Sequence, residues 1–155
     1  MFSRPSSYAI RALTYLAMQP PGKLSGAREV SEHEGIPSSF LSKVLLQLRR
    51  GRLLRSYKGI GGGYELALPP DKISLLKIVR CIEGDVAFNA CILEDHECSV
   101  RGECALHQPW GRLRDELLDL LERNTLAELV EKRRSGGVGT AESSGAGRPL
   151  GLLDQ

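Results

Sequence analysis

Three cysteines and a histidine, Cys91, Cys98, Cys104 and His107, fall within seventeen residues at the spacing C-x6-C-x5-C-x2-H. Thiolates are soft donors that suit iron–sulfur clusters or zinc. If Cys104 and His107 open a helix, they stand at i and i+3 and face the same way. Cys91 and Cys98 come from a stretch, 85–105, with no clear hydrophobic period, which can wrap around a centre. It carries Glu94, Asp95, Glu97 and Glu103 but few apolar residues. A metal centre would supply the constraint that packing does not. The bland alternative, three incidental buried cysteines, is the poorer reading for a cluster this dense. His96 is a weaker competitor for the fourth position. Cys81 is different: it lies among apolar residues of a helical stretch, where cysteine acts as a small hydrophobe, and is read as core. Zinc is the chemical rival. The spacing is close to a C-x8-C-x5-C-x3-H finger, an RNA-binding pattern, but such a module needs stacking aromatics and this stretch has only Phe88.

Upstream lies a second constellation. Lys58-Gly59-Ile60-Gly61-Gly62-Gly63-Tyr64 is a basic glycine-rich loop between two short apolar runs, Leu53–Tyr57 and Tyr64–Leu68, which read as a hairpin. Glycine admits positive φ and lets backbone amides approach a phosphate. The loop lacks the G-x-x-x-x-G-K-S/T pattern and the following helix of a nucleotide-phosphate loop.

These groups need elements to position them. Ser6–Met18 carries Tyr8, Ile10, Leu13, Leu16 and Ala17 at helical spacing, and Pro20-Pro21-Gly22 stops it. Ser25 is the expected cap of a short helix, Ala27–His33. Gly35-Ile36-Pro37 makes a tight turn, and Ser38 is the expected cap of a third helix reaching about Arg50. In it Leu41, Val44, Leu45 and Leu48 form a buried stripe. The other side presents Ser39, Phe40, Ser42, Lys43 and Gln47. Two helices joined by a tight turn resemble a helix-turn-helix. Such an outer face fits the major groove, where Gln47 can pair with adenine and Lys43 can meet phosphate or guanine. With Ser38, Arg55, Lys58, Gly61, Gly62 and Tyr64 these residues are the candidate DNA contacts. A solvated face is the ordinary explanation of any one of them; the ordered set is what points to double-stranded DNA.

Ser74 caps an expected helix, Leu75–Glu83, ended by Gly84. A long helix follows from about Leu106 to Arg123, with Trp110, Leu113, Leu117, Leu120 and Leu121 apolar. Thr125 and Glu128 make a capping box for a last helix, Leu126–Arg133. The expected fold is mainly α with a small β hairpin: a winged helix-turn-helix over 1–70, a cofactor loop and dimerisation helices over 71–134, and a disordered tail over 135–155. That tail has six glycines and no aromatic residue.

Charge supports this division. The net +2 is uneven: residues 1–70 hold ten lysines and arginines against four acids, and residues 71–134 ten against thirteen. A basic N-terminal half is expected where phosphates are met. There is no signal-peptide core and no stretch of eighteen apolar residues, so a cytoplasmic protein without a membrane partner is expected. In that reducing compartment clustered cysteines read as ligands. No Ser-His-Asp arrangement or catalytic carboxylate pair stands out, so no enzymatic activity is expected.

The residues also resemble a known family. Tyr8-Ala9-Ile10-Arg11-Ala12-Leu13 is similar to its first-helix signature, and Gly35-Ile36-Pro37-Ser38-Ser39-Phe40-Leu41 to its recognition-helix start. Gly61-Gly62-Gly63-Tyr64 resembles its wing, Ile82-Glu83-Gly84 the end of its fourth helix, and Asn124-Thr125-Leu126-Ala127-Glu128-Leu129 its C-terminal signature. Cys91, Cys98, Cys104, His107 and Trp110 resemble its cofactor segment. This is the winged-helix family of bacterial regulators that includes IscR, NsrR, RirA and CymR, and the resemblance runs from residue 1 to about 132. It implies a homodimer on a palindromic operator that senses an iron–sulfur cluster, acting chiefly as a repressor. Members differ in signal: cluster supply, iron, redox state or nitric oxide. The run Cys104, His107, Trp110 is most similar to IscR, which implies a 2Fe–2S cluster on three Cys and one His, with 4Fe–4S as the alternative. This chain departs from the pattern in its first cysteine spacing, one residue longer than usual in IscR. It also has Ser7 where some NsrR-like proteins supply an acidic ligand, and Ser42 where IscR has the glutamate that tunes operator choice.

Overall fold

The computed structural model describes residues 3–85 and 104–136. Helix α1 (Arg4–Ala17) is the axle of the molecule. Ser3 caps it, its hydroxyl accepting from the Ser6 amide at 3.3 Å, and a proline stands in the first turn, where no backbone donor is missed. Ala9, Ala12 and Leu13 have no exposed surface, and the two alanines let neighbouring helices come close on several sides. Helices α2 (Ala27–Glu34), α3 (Ser38–Arg50), α4 (Leu75–Glu83) and α6 (Leu126–Ser135) all pack on it.

Helix α2 ends on Gly35 at φ +61°, the left-handed cap that glycine adopts without Cβ strain, and the chain turns at once into α3. Two expected caps are corrected. Gly26, not Ser25, occupies the N-cap of α2, and Pro37, not Ser38, that of α3. Ser25 is instead buried in a two-way backbone bridge to Tyr64, with N···O distances of 3.1 and 2.8 Å. Ser38 turns its hydroxyl to that of Ser31, 3.1 Å away. The expected stripe of α3, Leu41, Val44, Leu45 and Leu48, is buried, each side chain contributing about 1.5–3 kcal/mol of transfer free energy.

Strands β1 (Leu54–Tyr57) and β2 (Gly63–Leu66) pair antiparallel, with Leu54 opposite Leu66 and Tyr57 opposite Gly63. The regular strands are shorter than expected, although the Ala67 amide still donates to the Leu53 carbonyl at 3.0 Å, one step further along the same register. A 3-10 turn, Pro70–Lys72, leads to α4, where the Ser74 hydroxyl accepts from the Lys77 amide as expected. Helix α5 (His107–Arg123) packs on α4 through a separate small cluster of Leu76, Val79 and Leu121, flanked by Leu117 and Leu118. The Thr125–Glu128 capping box forms and opens α6, whose Leu126 enters the main core. The core is therefore shared by both halves of the chain: Ile73, Ile78 and Leu126 pack with residues of α1, α2 and α3. Among the described residues no helix is long and apolar enough to cross a membrane.

Candidate nucleic-acid interface and cofactor segment

The outer face of α3 carries Ser39, Phe40, Lys43 and Gln47, all exposed, with Lys43 three and four residues on from the first pair and Gln47 four beyond it. Phe40 is 52 % exposed and meets Tyr8 of α1 edge-on, with centroids 6.3 Å apart. That contact fixes the ring beside the start of the helix. Ser42 donates to the Ser38 carbonyl at 2.8 Å, so its hydroxyl is already engaged along the helix. Lys43 makes no ion pair among the described residues, which leaves its ammonium free for an outside anion.

The hairpin is joined to this helix. Arg49 donates to Ser56 of β1 at 3.3 Å. Arg55 stands opposite Glu65 in the ladder, 3.8 Å from its carboxylate, and is only partly available to a phosphate. Lys58 has no such acid. Tyr57 donates to Glu65 at 2.8 Å, and that carboxylate holds the phenol above its ordinary pKa. Tyr64 is half-buried against the core, so its ring supports the hairpin from beneath. At the hairpin end Gly59 and Gly61 adopt φ of +92° and +77°. Between them Ile60 is fully exposed, a feature that sequence reasoning passed over.

Of the four cofactor candidates, Cys91 and Cys98 lie outside the described residues, as do Phe88, His96 and the tail from 137 onward. Cys104 and His107 are placed at the mouth of α5, linked by a backbone bond of 3.1 Å from the His107 amide to the Cys104 carbonyl. Cys104 is a free, partly exposed thiol and His107 is exposed. Neither side chain has a hydrogen-bond partner among the described residues, as suits donors kept for a ligand. Cys81 contrasts with them. It is half-buried, its thiol donates to the Gln47 carbonyl at 3.5 Å, and burial pushes its pKa up. That is the chemistry of a packing residue rather than a thiolate ligand.

Helix α5 exposes a second feature. Leu106, Leu113 and Leu120 are 45 %, 58 % and 59 % exposed and recur every seven residues. With Trp110 and Leu117 between them the spacing alternates four and three, the heptad seam of a helix that packs on another helix.

A basic helix-turn-helix with a glycine-tipped wing, followed by a heptad helix, is mirrored in known proteins. Residues 2–132 match the family Rrf2, described as "Iron-dependent Transcriptional regulator". The chain belongs to the Rrf2 family. A protein of Mycobacterium tuberculosis (strain H37Rv) named as an HTH-type transcriptional regulator is 38 % identical over 129 residues, covering 83 % of this chain and 80 % of its own. Among solved structures, CymR of B. subtilis, the global cysteine regulator, superposes with a TM-score of 0.73 at 24 % identity, over 84 % of this chain and 96 % of that one. IscR of T. potens gives 0.71 at 20 % identity, over 91 % and 93 %. These two likenesses establish the fold. The Rrf2 assignment makes the chain a DNA-binding transcriptional regulator and not an enzyme.

Proposed function

We propose that this Rrf2 regulator acts as a homodimer on a palindromic operator, chiefly as a repressor, and senses an iron–sulfur cluster held by Cys91, Cys98, Cys104 and His107. In this reading residues 1–70 read DNA and residues 71–134 carry the cofactor and the dimer seam. Residues Ser39, Phe40, Lys43 and Gln47 enter the major groove, with Ser38 and Ser42 shaping the helix start. Arg55, Lys58 and the amides of Gly61 and Gly62 meet the backbone beside it, and Tyr64 supports them. The observation that carries the proposal is the pairing of a thiol and an imidazole without partners among the described residues, Cys104 and His107, with the mouth of the helix that also bears the exposed heptad. When bound, a cluster of the 2Fe–2S type would supply a redox-active, nitric-oxide-reactive and labile group; 4Fe–4S is the alternative. The chain's own part is to offer soft donors from two separate segments. Two dimer-related recognition helices would lie about 34 Å apart, one turn of duplex.

The test is anaerobic purification from an iron-replete cytoplasmic expression, with iron and acid-labile sulfide quantified per chain and the absorbance spectrum recorded. The expected result is a coloured protein with stoichiometric iron and sulfide, lost in Cys91→Ala, Cys98→Ala and Cys104→Ala, and an altered spectrum or lifetime in His107→Ala. A colourless protein with one zinc per chain would overturn the sensing reading and leave a zinc-stabilised DNA-binding protein.

A further inference from the structure

A single exposed isoleucine on a protein surface is ordinary. Ile60 is not ordinary in its surroundings. Residues 59 and 61–63 have no side chains, so the end of the hairpin is as thin as a bare backbone with one apolar group projecting from it. The tip is also held firmly. Gly62 donates to the Gly59 carbonyl at 3.0 Å, and a side chain at Gly62 would collide with the Tyr57 carbonyl. A Cβ on Gly63 would stand 2.8 Å from the backbone of Ser25, which bonds Tyr64 from the start of α2. Left-handed φ at Gly59 and Gly61 turns Ile60 outward. Its immediate shoulder is Lys58, a cation with no acid against it among the described residues.

A thin apolar point beside a cation matches one surface of duplex DNA. The minor groove is only about 6 Å wide and is walled by phosphates, and its floor shows acceptors at A·T pairs but adds the guanine N2 amine at G·C pairs. Apolar side chains are a common means of minor-groove contact. An isoleucine resting on that floor can offer the amine no acceptor, and the amine fills the space the side chain needs. We infer that Ile60 is a minor-groove specificity residue: the wing lays it on the groove floor outside the recognition-helix site, where it selects against guanine. This rests on the DNA-reading face proposed above and adds a second site of sequence readout to it.

The probe is a fluorescein-labelled duplex enriched by the full anaerobically purified chain from a random pool. The base pairs flanking the major-groove footprint are then made A·T, inosine·C or G·C. Inosine·C keeps the major groove of G·C and removes only the amine. By anisotropy at fixed salt, the wild type should bind A·T and inosine·C alike and G·C about tenfold more weakly. Ile60→Ser should bind the A·T duplex about fivefold more weakly and lose the inosine·C over G·C preference, with an unchanged salt slope and unfolding midpoint. Lys58→Gln should keep the preference and lower the salt slope by about one. If Ile60→Ser retains the preference, or the wild type never shows it, the Ile60 inference is wrong while DNA reading stands. If no duplex is enriched and binding shows no salt dependence, the DNA-reading face itself is wrong.

Discussion

Gly51, at the C-cap of α3, offers a test of how the recognition helix is seated. Its φ of −74° and ψ of 3° suit alanine as well as glycine, so no backbone requirement explains it. The requirement comes from α4. A methyl at position 51 would overlap the Cys81 sulfur and stand 3.5 Å from its Cβ and 3.4 Å from the Gln47 carbonyl. That thiol is itself held by donating to Gln47. Overpacking of this kind costs about 1–3 kcal/mol, offset by about 0.4–1 kcal/mol from the reduced freedom of the unfolded chain. Gly51→Ala should therefore destabilise the protein by up to about 2.6 kcal/mol. In a Cys81→Ala background the methyl has room, so the same substitution should stabilise by about 0.4–1 kcal/mol. The change of sign makes a coupling energy of about 1–3 kcal/mol, readable from urea midpoints at constant slope. Equal destabilisation in both backgrounds would refute the argument that Cys81 dictates the glycine.

Other perturbations follow from the same contacts. Glu34 has only 3 % of its side chain exposed and is met by Arg133 at 2.7 Å, Arg11 at 3.6 Å and His33 at 3.2 Å, so Arg133→Ala, which strips its nearest partner, should cost about 1–3 kcal/mol in denaturant unfolding; an unchanged midpoint would show that α6 is not anchored there. Burial, then the Glu29 carboxylate it bonds, pushes the Tyr15 phenol from 10.0 up to about 12. From pH 10 to 12 the unfolded chain thus binds fewer protons than the native one, so Tyr15 stabilises fully below pH 10 and progressively less up to 12; Tyr15→Phe should flatten that alkaline loss in thermal melts. Under the proposed homodimer, Leu113→Glu with Leu120→Glu places charges on the exposed heptad and should shift the chain from dimer to monomer in sedimentation without lowering its helical content.

Much of this fold could be read before any coordinates. The stripe of α3 and the caps at Ser74 and Thr125 are local, periodic signals, and each sits where the pattern placed it. The failures were also local in origin. Ser25 looks like a cap because serine favours caps, yet its backbone is claimed by Tyr64, nearly forty residues on, and Gly26 takes the position. No period announces that pairing. Nor does any local signal show that α6 returns to the end of α2, since Arg133 meets Glu34 across 99 residues of sequence. At the candidate site, the position of Cys104 and His107 at the mouth of α5 was legible from the sequence, and the exposed face of α3 from its stripe. Ile60 was not, because a hydrophobic residue in a glycine run carries no periodicity, and only its projection gives it meaning. The heptad of α5 was present in the sequence as a set of apolar residues; only their exposure separates a seam for another helix from a core stripe.

The described residues on either side of the cysteine-bearing segment bear on how a cofactor could alter DNA binding. One end of that segment follows α4, whose last residues are fastened to α1: Glu83 accepts from the Ser6 hydroxyl at 2.6 Å and the Ser3 amide at 2.9 Å. Burial opposes the Glu83 charge, but these hydrogen bonds outweigh it and hold the carboxyl below its usual range. Ionised at neutral pH, it is a firm anchor on the start of α1. The other end is Cys104 at the start of α5, a helix with one buried side chain, Leu121, near its far end. Among the described residues, then, the first end is bonded to α1 and the second is buried only toward the far end of its helix. Under the function proposed above, a ligand shared by Cys91, Cys98, Cys104 and His107 would tie the mouth of α5 to the end of α4. Weakening the anchor should then weaken the coupling more than the binding. Ser6→Ala with Glu83→Gln is expected to leave DNA affinity of the cofactor-free protein within about twofold, while narrowing the affinity difference between loaded and stripped protein. An unchanged difference, with DNA affinity intact in both states, would show that the anchor plays no part in transmission.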